Sequence, residues 1–401
     1  MLKQAVILAG GKGTRLSSHT LNTPKPMLDV GGKPFLEYIV DNLRCNGFEE
    51  IVFTIGYLGE QIKMYFGNGD NFGIKVKYVE ENEPSGTGGG LLLGIEYLQD
   101  DFLVLNGDTV FDFNIWDLYK EYCKKGVLGA IALRTIDDVS RYGCISLENG
   151  YVKGFSEKGM SGKGEISGGC YILSKKVIEK YASIPCSIES DVFPALMEVN
   201  QLIAKKYDGF FIDIGIPDTL KTSQTLVPEW WKKPVAFLDR DGVINKDLGY
   251  VVTEGRCEWV AGALSAIKSL NEHGYRVIIV TNQAGIARGY YSIDDFHLFM
   301  DLLLDRIKEH GAHVDDYFFC PHHFEHGKGK YKMECDCRKP SPGMIFSALN
   351  RYPVDIDASF LVGDKDSDII AADRAGIRGY KLSDEKEALD VLINRIIGLS
   401  S

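Results

Sequence analysis

Nowhere does this 401-residue chain hold a run of about 18 apolar residues, the length a helix needs to cross a bilayer. The opening segment, Met1 to Gly10, has too short an apolar stretch for a secretory signal peptide. Positive charge is scarce as well: 45 Lys and Arg face 56 Asp and Glu, for a formal net charge of -11. That balance argues against a nucleic-acid binder, which normally presents a cationic surface to displace phosphate counterions. An even set of cysteines is missing too; nine in so long a chain do not suit a full disulfide framework. The sequence also lacks internal repeats and low-complexity tracts. These absences point to a reduced, cytoplasmic protein with small-molecule substrates and neither nucleic acid nor membrane as partner. They leave its oligomeric state open.

What is present is ordinary for a globular enzyme, with 45% hydrophobic and 25% charged residues. The length is more than one core usually serves, so two or three domains are expected. Ala5 to Ala9 is a short apolar run ending in a glycine-rich turn, which reads as a buried strand. Leu36, Ile39, Val40 and Leu43 follow at helical spacing, and Gly47 supplies a stop. Glu50–Ile55 and Phe102–Leu105 read as further strands, so the pattern predicts a βαβ architecture with a parallel sheet. Pro228 and Pro234 bracket a stretch with neither period, which suits a linker over 227–234. Beyond it the pattern restarts. Val235–Leu238, Val277–Val280 and Phe360–Val362 read as strands, with helices marked by Ala263, Ala266, Ile267, Leu270 and by Phe296, Phe299, Met300, Leu303. The prediction is α/β throughout: two tandem Rossmann-like domains, 1–226 and 235–401.

Two clusters carry chemistry. In the first, Gly10-Gly11-Lys12-Gly13-Thr14-Arg15-Leu16 follows the opening strand. Glycines let successive N–H groups turn onto an anion, and Lys12 and Arg15 add charge. Pro24-Lys25-Pro26 is a rigid segment able to hold one amine in place, and Asn106-Gly107-Asp108 ends a strand, where ligands of open α/β sheets sit. With Gly86-Thr87-Gly88-Gly89 between them, this ordered set resembles the sugar-1-phosphate nucleotidyltransferase family over roughly residues 1–225. The resemblance implies a Rossmann-like domain, a nucleoside triphosphate and Mg²⁺. A sugar phosphate oxygen attacks the α-phosphorus and pyrophosphate leaves, so positioning and charge neutralisation carry the catalysis. By the same resemblance Gly10, Gly11, Gly13, Thr14 and Arg15 bind the triphosphate, and Gly86 and Thr87 pack under the base. Arg15 and Lys25 are the catalytic cations, Asp108 and Asp213 bind Mg²⁺, and Lys158 beside Glu157 contacts the sugar phosphate. Gly159 and Ser167 stand where the family commonly has proline and asparagine.

The second cluster opens with Asp239-Arg240-Asp241-Gly242 at a strand end, two carboxylates two residues apart and able to face a shared metal. Thr281-Asn282, Arg338-Lys339-Pro340 and Gly363-Asp364-Lys365 end later segments. Together they resemble the four motifs of the haloacid dehalogenase superfamily over roughly residues 235–382. That resemblance implies Asp239 as the nucleophile forming a phosphoaspartate and Asp241 as the acid and base. Thr281, Asn282 and Lys339 hold the phosphoryl group with Lys365 nearby, and Asp239, Asp241 and Asp364 bind Mg²⁺. Asp366 and Asp368 are read as solvated acids at a helix start, not as ligands.

Between these motifs, Cys320-Pro321-His322 and Cys335-Asp336-Cys337 offer three thiolates and an imidazole. Two tight pairs of such ligands predict a closed tetrahedral Zn²⁺ site that clips the loop, with His323 as a competing ligand. The remaining cysteines, such as Cys45, Cys170 and Cys257, read as core or surface residues. With this insert the domain closely resembles the heptose-bisphosphate phosphatases, whose relatives include histidinol-phosphate phosphatases, and Arg338 is then expected to read the substrate. The combination resembles a bifunctional enzyme of GDP-D-glycero-α-D-manno-heptose synthesis. It would remove the 7-phosphate of a heptose 1,7-bisphosphate and add GMP from GTP to the 1-phosphate. The guanine assignment comes from that resemblance alone; Gly86 to Gly90 do not distinguish bases. Another sugar or base, such as ADP-heptose from the β-anomer, and a non-catalytic nucleotide- or sugar-binding regulator are the alternatives.

Overall fold

Apolar segments with little polar competition become the central strands of two sheets. The computed structural model describes every residue except 12–15, 17–19, 141–142, 156–161, 383–386 and 400–401. The chain divides into two units, Met1–Trp230 and Trp231–Ser401.

In the first unit, Lys75–Glu80, Glu50–Ile55, Gln4–Ala9 and Asp101–Asn106 lie side by side and parallel. Gly164–Ser174 then runs antiparallel between Asp101–Asn106 and Gly129–Ile136. Leu202–Lys206, Tyr151–Phe155 and Ile145–Glu148 complete nine strands. The sheet is therefore mixed, where the sequence pattern predicts parallel pairing. An apolar run such as Cys170–Leu173 specifies a buried strand but not its direction. Helix Phe35–Cys45 buries Leu36, Ile39, Val40 and Leu43 and is followed by Gly47 at φ 78°. A two-stranded ribbon pairs Thr109–Phe111 with Phe211–Asp213, setting Asp213 opposite Thr109 and beside the end of the Asp101–Asn106 strand.

The expected linker is helical for most of its length. Helix Pro217–Trp231 continues through Pro228. Packing overrides the local proline signal: Val227 is buried, and the Trp230 indole stacks on Phe210 at 5.4 Å and donates to Asp112 Oδ2 at 2.8 Å.

Five parallel strands form the second unit's sheet, in the order Asp316–Cys320, Arg276–Asn282, Val235–Leu238, Phe360–Gly363, Arg378–Lys381. Helices Ala263–Glu272 and Ile293–Glu309 bury the predicted apolar faces in its core. Four strands end at or immediately before Asp239, Asn282, Cys320 and Asp364, so one edge of the sheet gathers the candidate site residues. Among the described residues, no helix is long and apolar enough to cross a membrane.

Candidate active sites

The first site is a cleft of about 1080 Å³ over the ends of the parallel strands, lined by Gly10, Gly11, Lys25, Gly86, Thr87, Asp108 and Asp213 among others. Lys25 opens a single 3-10 turn, Lys25–Met27, with Pro24 and Pro26 buried at its start. Its amine sits 2.5 Å from Asp108 Oδ2 and 3.8 Å from Asp213 Oδ1. The ribbon holds this arrangement, because the Ile214 amide donates to the Asp108 carbonyl at 3.0 Å and the Gly215 amide to Asp213 Oδ1 at 2.6 Å. Two half-buried carboxylates against one ammonium leave spare negative charge, which suits a hard cation with oxygen ligands.

Gly86 and Thr87 begin helix Gly86–Leu93. Gly86 has φ 76°, and a Cβ there would meet the Cys186 carbonyl at 2.3 Å, so only glycine fits. The Gly88 and Gly89 amides donate to that same carbonyl at 2.9 and 3.2 Å. Thr87 is exposed to the cleft, yet its hydroxyl accepts from the Ile188 amide at 2.9 Å. Gly13, Thr14, Arg15 and Lys158 lie outside the described residues.

The second site is a cleft of about 300 Å³ whose lining includes Asp239, Asp241, Thr281, Asn282, Lys339 and Lys365. Lys339 is fully buried between two carboxylates, 3.0 Å from Asp239 Oδ1 and 2.6 Å from Asp368 Oδ1, and it donates to the Val280 carbonyl at 2.7 Å. Burial pushes the Asp239 carboxyl up to about 6; Lys339 pulls it down, while Asp368 and Asp241 push it up. Burial alone would lower the Lys339 ammonium, but Asp239 and Asp368 raise it above its usual value, so it stays charged. Asn282 exchanges hydrogen bonds with the Lys339 backbone, accepting from its amide at 3.1 Å and donating to its carbonyl at 3.0 Å. Lys365 pairs with Asp247 at 2.9 Å and approaches Asp364 at 3.5 Å. Gly242, at φ 93°, clears space for Asp364, whose carboxylate carbon would lie 2.6 Å from a Cβ there.

Carboxylate oxygens of Asp239, Asp364 and Asp368 lie within 4.8 Å of one another. Oδ1 of Asp364 is buried without a hydrogen-bond partner among the described residues, which suits a cation ligand. Asp241 is not in this trio. Its two oxygens are taken by the Arg240 guanidinium at 2.9 and 2.8 Å, by Asn245 at 2.9 Å and by Gln283 at 3.1 Å. The Asp241 side chain therefore faces a hydrogen-bonding wall, where the sequence pattern expects it on the metal. Asp368 departs in the opposite sense: it is buried, whereas Asp366 is exposed and paired with Lys381.

Cys320, His322, Cys335 and Cys337 also converge, their ligand atoms within 4.8 Å of one another. Cys337 Sγ lies 3.2 Å from Cys320 Sγ and 3.4 Å from His322 Nδ1, and Cys335 Sγ is 3.6 Å from Cys320 Sγ. His323 instead accepts from the His326 amide through Nδ1 at 3.2 Å. Arg338 donates to the His322 carbonyl at 3.2 Å and is not among the residues lining the cleft.

Residues 4–227 match the model of the nucleotidyl transferase family, and residues 336–389 match a HAD hydrolase-like model. The D-glycero-β-D-manno-heptose-1,7-bisphosphate 7-phosphatase of Rhodopseudomonas palustris is 45% identical over 166 residues, covering 41% of this chain and 91% of that protein. The D-glycero-α-D-manno-heptose-1,7-bisphosphate 7-phosphatase of Photorhabdus laumondii is 48% identical over 146 residues, covering 36% of this chain and 80% of that protein. The D-glycero-α-D-manno-heptose 1-phosphate guanylyltransferase of Campylobacter jejuni is 37% identical over 220 residues, covering 54% of this chain and 96% of that protein. The chain belongs to the nucleotidyl transferases in its first half and to the HAD-like phosphatases in its second. It is a bifunctional enzyme by this membership.

Four residues of these sites escape sequence reasoning. Glu81 lines the nucleotide cleft; its Oε2 accepts from the Ser85 hydroxyl at 2.6 Å, while Oε1 has no partner among the described residues. Gln283 bridges Asp241, the Thr281 hydroxyl at 2.8 Å and the Tyr291 hydroxyl at 2.6 Å. Arg240 is fully buried over Phe299 and Phe296, at 5.1 and 5.6 Å, and aims its Nη2 at Asp241. Asp368 is the fourth. Gln283, Arg240 and Asp368 lie beside or within the motifs at Thr281-Asn282, Asp239–Asp241 and Asp364-Lys365, and that position is their signal in the sequence, although Asp368 reads there as a solvated acid; Glu81 offers none.

Proposed function

We propose that this chain catalyses two successive reactions in the cytoplasm. Residues 235–401 remove the 7-phosphate of D-glycero-D-manno-heptose 1,7-bisphosphate. Residues 1–226 then transfer GMP from GTP to the heptose 1-phosphate, with 227–234 joining them. The observation that carries this reading is the presence in one chain of two assembled phosphate sites, Lys25–Asp108–Asp213 and Asp239–Lys339–Asp364. The first reaction leaves the class of compound that the second consumes.

In the phosphatase step the Asp239 carboxylate attacks phosphorus, and the bond to the sugar oxygen breaks as Asp241 supplies a proton. Lys339, at 3.0 Å from Asp239, neutralises charge at the phosphoryl group, and Thr281 lines the same cleft. Water activated by Asp241 then releases phosphate. Arg240, Asn245 and Gln283 fix the orientation of the Asp241 carboxylate at the lining of the cleft. In the transferase step a heptose phosphate oxygen attacks the α-phosphorus and pyrophosphate departs. Lys25 and Arg15 neutralise the phosphates, and Lys158 holds the sugar phosphate. Asp108 and Asp213 in one site, and Asp239 and Asp364 with Asp368 in the other, have the oxygen donors to hold Mg²⁺. Such an ion would supply positive charge against the phosphate groups. The Cys₃His cluster suits structural Zn²⁺.

Glu81 favours guanine. An ionised carboxylate only accepts hydrogen bonds, and guanine presents two adjacent donors, N1–H and N2–H, where adenine presents a donor and an acceptor. The anomer follows the guanylyltransferase half, which sets α for the pair. Phosphate and pyrophosphate release from the α- and β-bisphosphates with each of four nucleoside triphosphates tests this. Turnover is expected with the α-anomer and GTP. Preference for ATP, or for the β-anomer in both steps, would instead establish the ADP-heptose alternative.

A further inference from the structure

Two tyrosines with no role in the chemistry above meet at the mouth of the phosphatase cleft. Tyr250 and Tyr290 remain 41% and 60% exposed, with ring centroids 4.7 Å apart at 73°. Neither phenol hydroxyl has a hydrogen-bond partner among the described residues, and Tyr250 lines the cleft itself. Their backbones are held to present them. Tyr250 has φ 53°, a left-handed conformation that a bulky side chain rarely adopts. Around it, Arg256 donates to the Leu248 and Gly249 carbonyls at 2.6 and 3.0 Å, and Asp247 accepts from the Gly249 amide at 3.1 Å and from Lys365. On the facing loop, the Tyr290 amide donates to the Gly285 carbonyl at 2.9 Å, directly after Gly289 turns at φ 74°. A strained residue persists only where its surroundings impose it, and such residues gather at ligand clamps.

We infer that Tyr250 and Tyr290 form a carbohydrate platform at this cleft. The C–H face of a phosphorylated sugar packs on the exposed rings, the phenol hydroxyls exchange hydrogen bonds with sugar hydroxyls, and the phosphate to be removed reaches Asp239. An aromatic ring suits this task because it offers a large rigid apolar face with a polar tip. The platform selects sugar phosphates over small phosphomonoesters and rests on the phosphatase reading proposed above.

The test compares kcat/KM for the heptose 1,7-bisphosphate with that for acetyl phosphate, which has no sugar to stack, using the full-length chain. Tyr290→Ala is expected to lower the ratio of the two by roughly tenfold, chiefly by raising KM for the bisphosphate. Tyr290→Phe and Tyr290→Trp keep a ring and should restore most of the ratio. Tyr250→Gly is expected to lower the ratio while Tm holds or rises, because glycine relieves the left-handed backbone. A ratio unchanged in both Tyr290→Ala and Tyr250→Gly would overturn the platform. So would a ratio lost in Tyr250→Gly only together with a fall in Tm. If the unsubstituted chain released phosphate from neither compound, the phosphatase reading would fall first and take the platform with it.

Discussion

Lys339 shows what a single buried ion asks of its neighbours. A lysine with only 4% of its residue surface exposed keeps its charge because Asp239 and Asp368 flank it and the Val280 carbonyl accepts from it. Removing one partner of a buried pair costs about 3–5 kcal/mol, far above an exposed salt bridge. Asp368→Ala is therefore expected to lower the stability of the full chain by about 3 kcal/mol, read from the urea transition of the second unit, and to impair phosphate release. A loss below about 1 kcal/mol would mean that Asp239 alone compensates Lys339. Glu81 makes the corresponding statement for specificity. Glu81→Gln exchanges one acceptor for a donor against the guanine edge, so the GTP-to-ATP ratio of kcat/KM should fall by roughly tenfold or more. An unchanged ratio would place base selection elsewhere.

At the scale of elements, the Cys/His cluster joins a strand end to the segment that carries Lys339. Cys320 closes strand Asp316–Cys320, whose end pairs in register with Asn282, and Cys337 directly precedes Arg338 and Lys339. A metal holding all four ligands fastens residues 321–336 at both ends, and structural Zn²⁺ of this kind contributes on the order of 10 kcal/mol or more to the folding of small metal domains. Chelation, or Cys335→Ser, is expected to make this loop sensitive to limited proteolysis and to depress phosphate release. Pyrophosphate release should continue. Metal analysis that found no bound metal ion in the purified chain would remove the basis of this expectation. Helix Pro217–Trp231 teaches the reverse lesson at the same scale. Local proline chemistry predicts a break, yet the burial of Val227 and the Trp230–Asp112 bond extend the helix through Pro228.

For the whole molecule, each unit carries its own candidate site, and the proposed reactions share no residue. Asp239→Asn should abolish phosphate release while pyrophosphate release from supplied heptose 1-phosphate continues. Asp108→Asn should do the converse. Either substitution silencing both activities would show that the sites are not independent. The acidic balance of the chain is compatible with this chemistry because the cations are local, Lys25 in one cleft and Lys339 and Lys365 in the other.

Much of this was legible in the residues themselves. Short apolar runs ending in Gly10, Asp108, Asp239 and Asp364 mark strands that finish at functional turns, because a buried strand must be apolar and a turn must not. The Cys320-Pro321-His322 and Cys335-Asp336-Cys337 pairs mark four side chains that converge in the fold. Tertiary structure alone decided the rest. Strand direction at Gly164–Ser174 depends on the neighbours it meets, and burial of Asp368 depends on Lys339 arriving from 29 positions earlier in the chain. The turning of Asp241 toward Arg240, Asn245 and Gln283 is likewise a matter of which donors surround it. Charge, desolvation and hydrogen-bond geometry act between residues far apart in sequence, and only the folded chain brings those residues together.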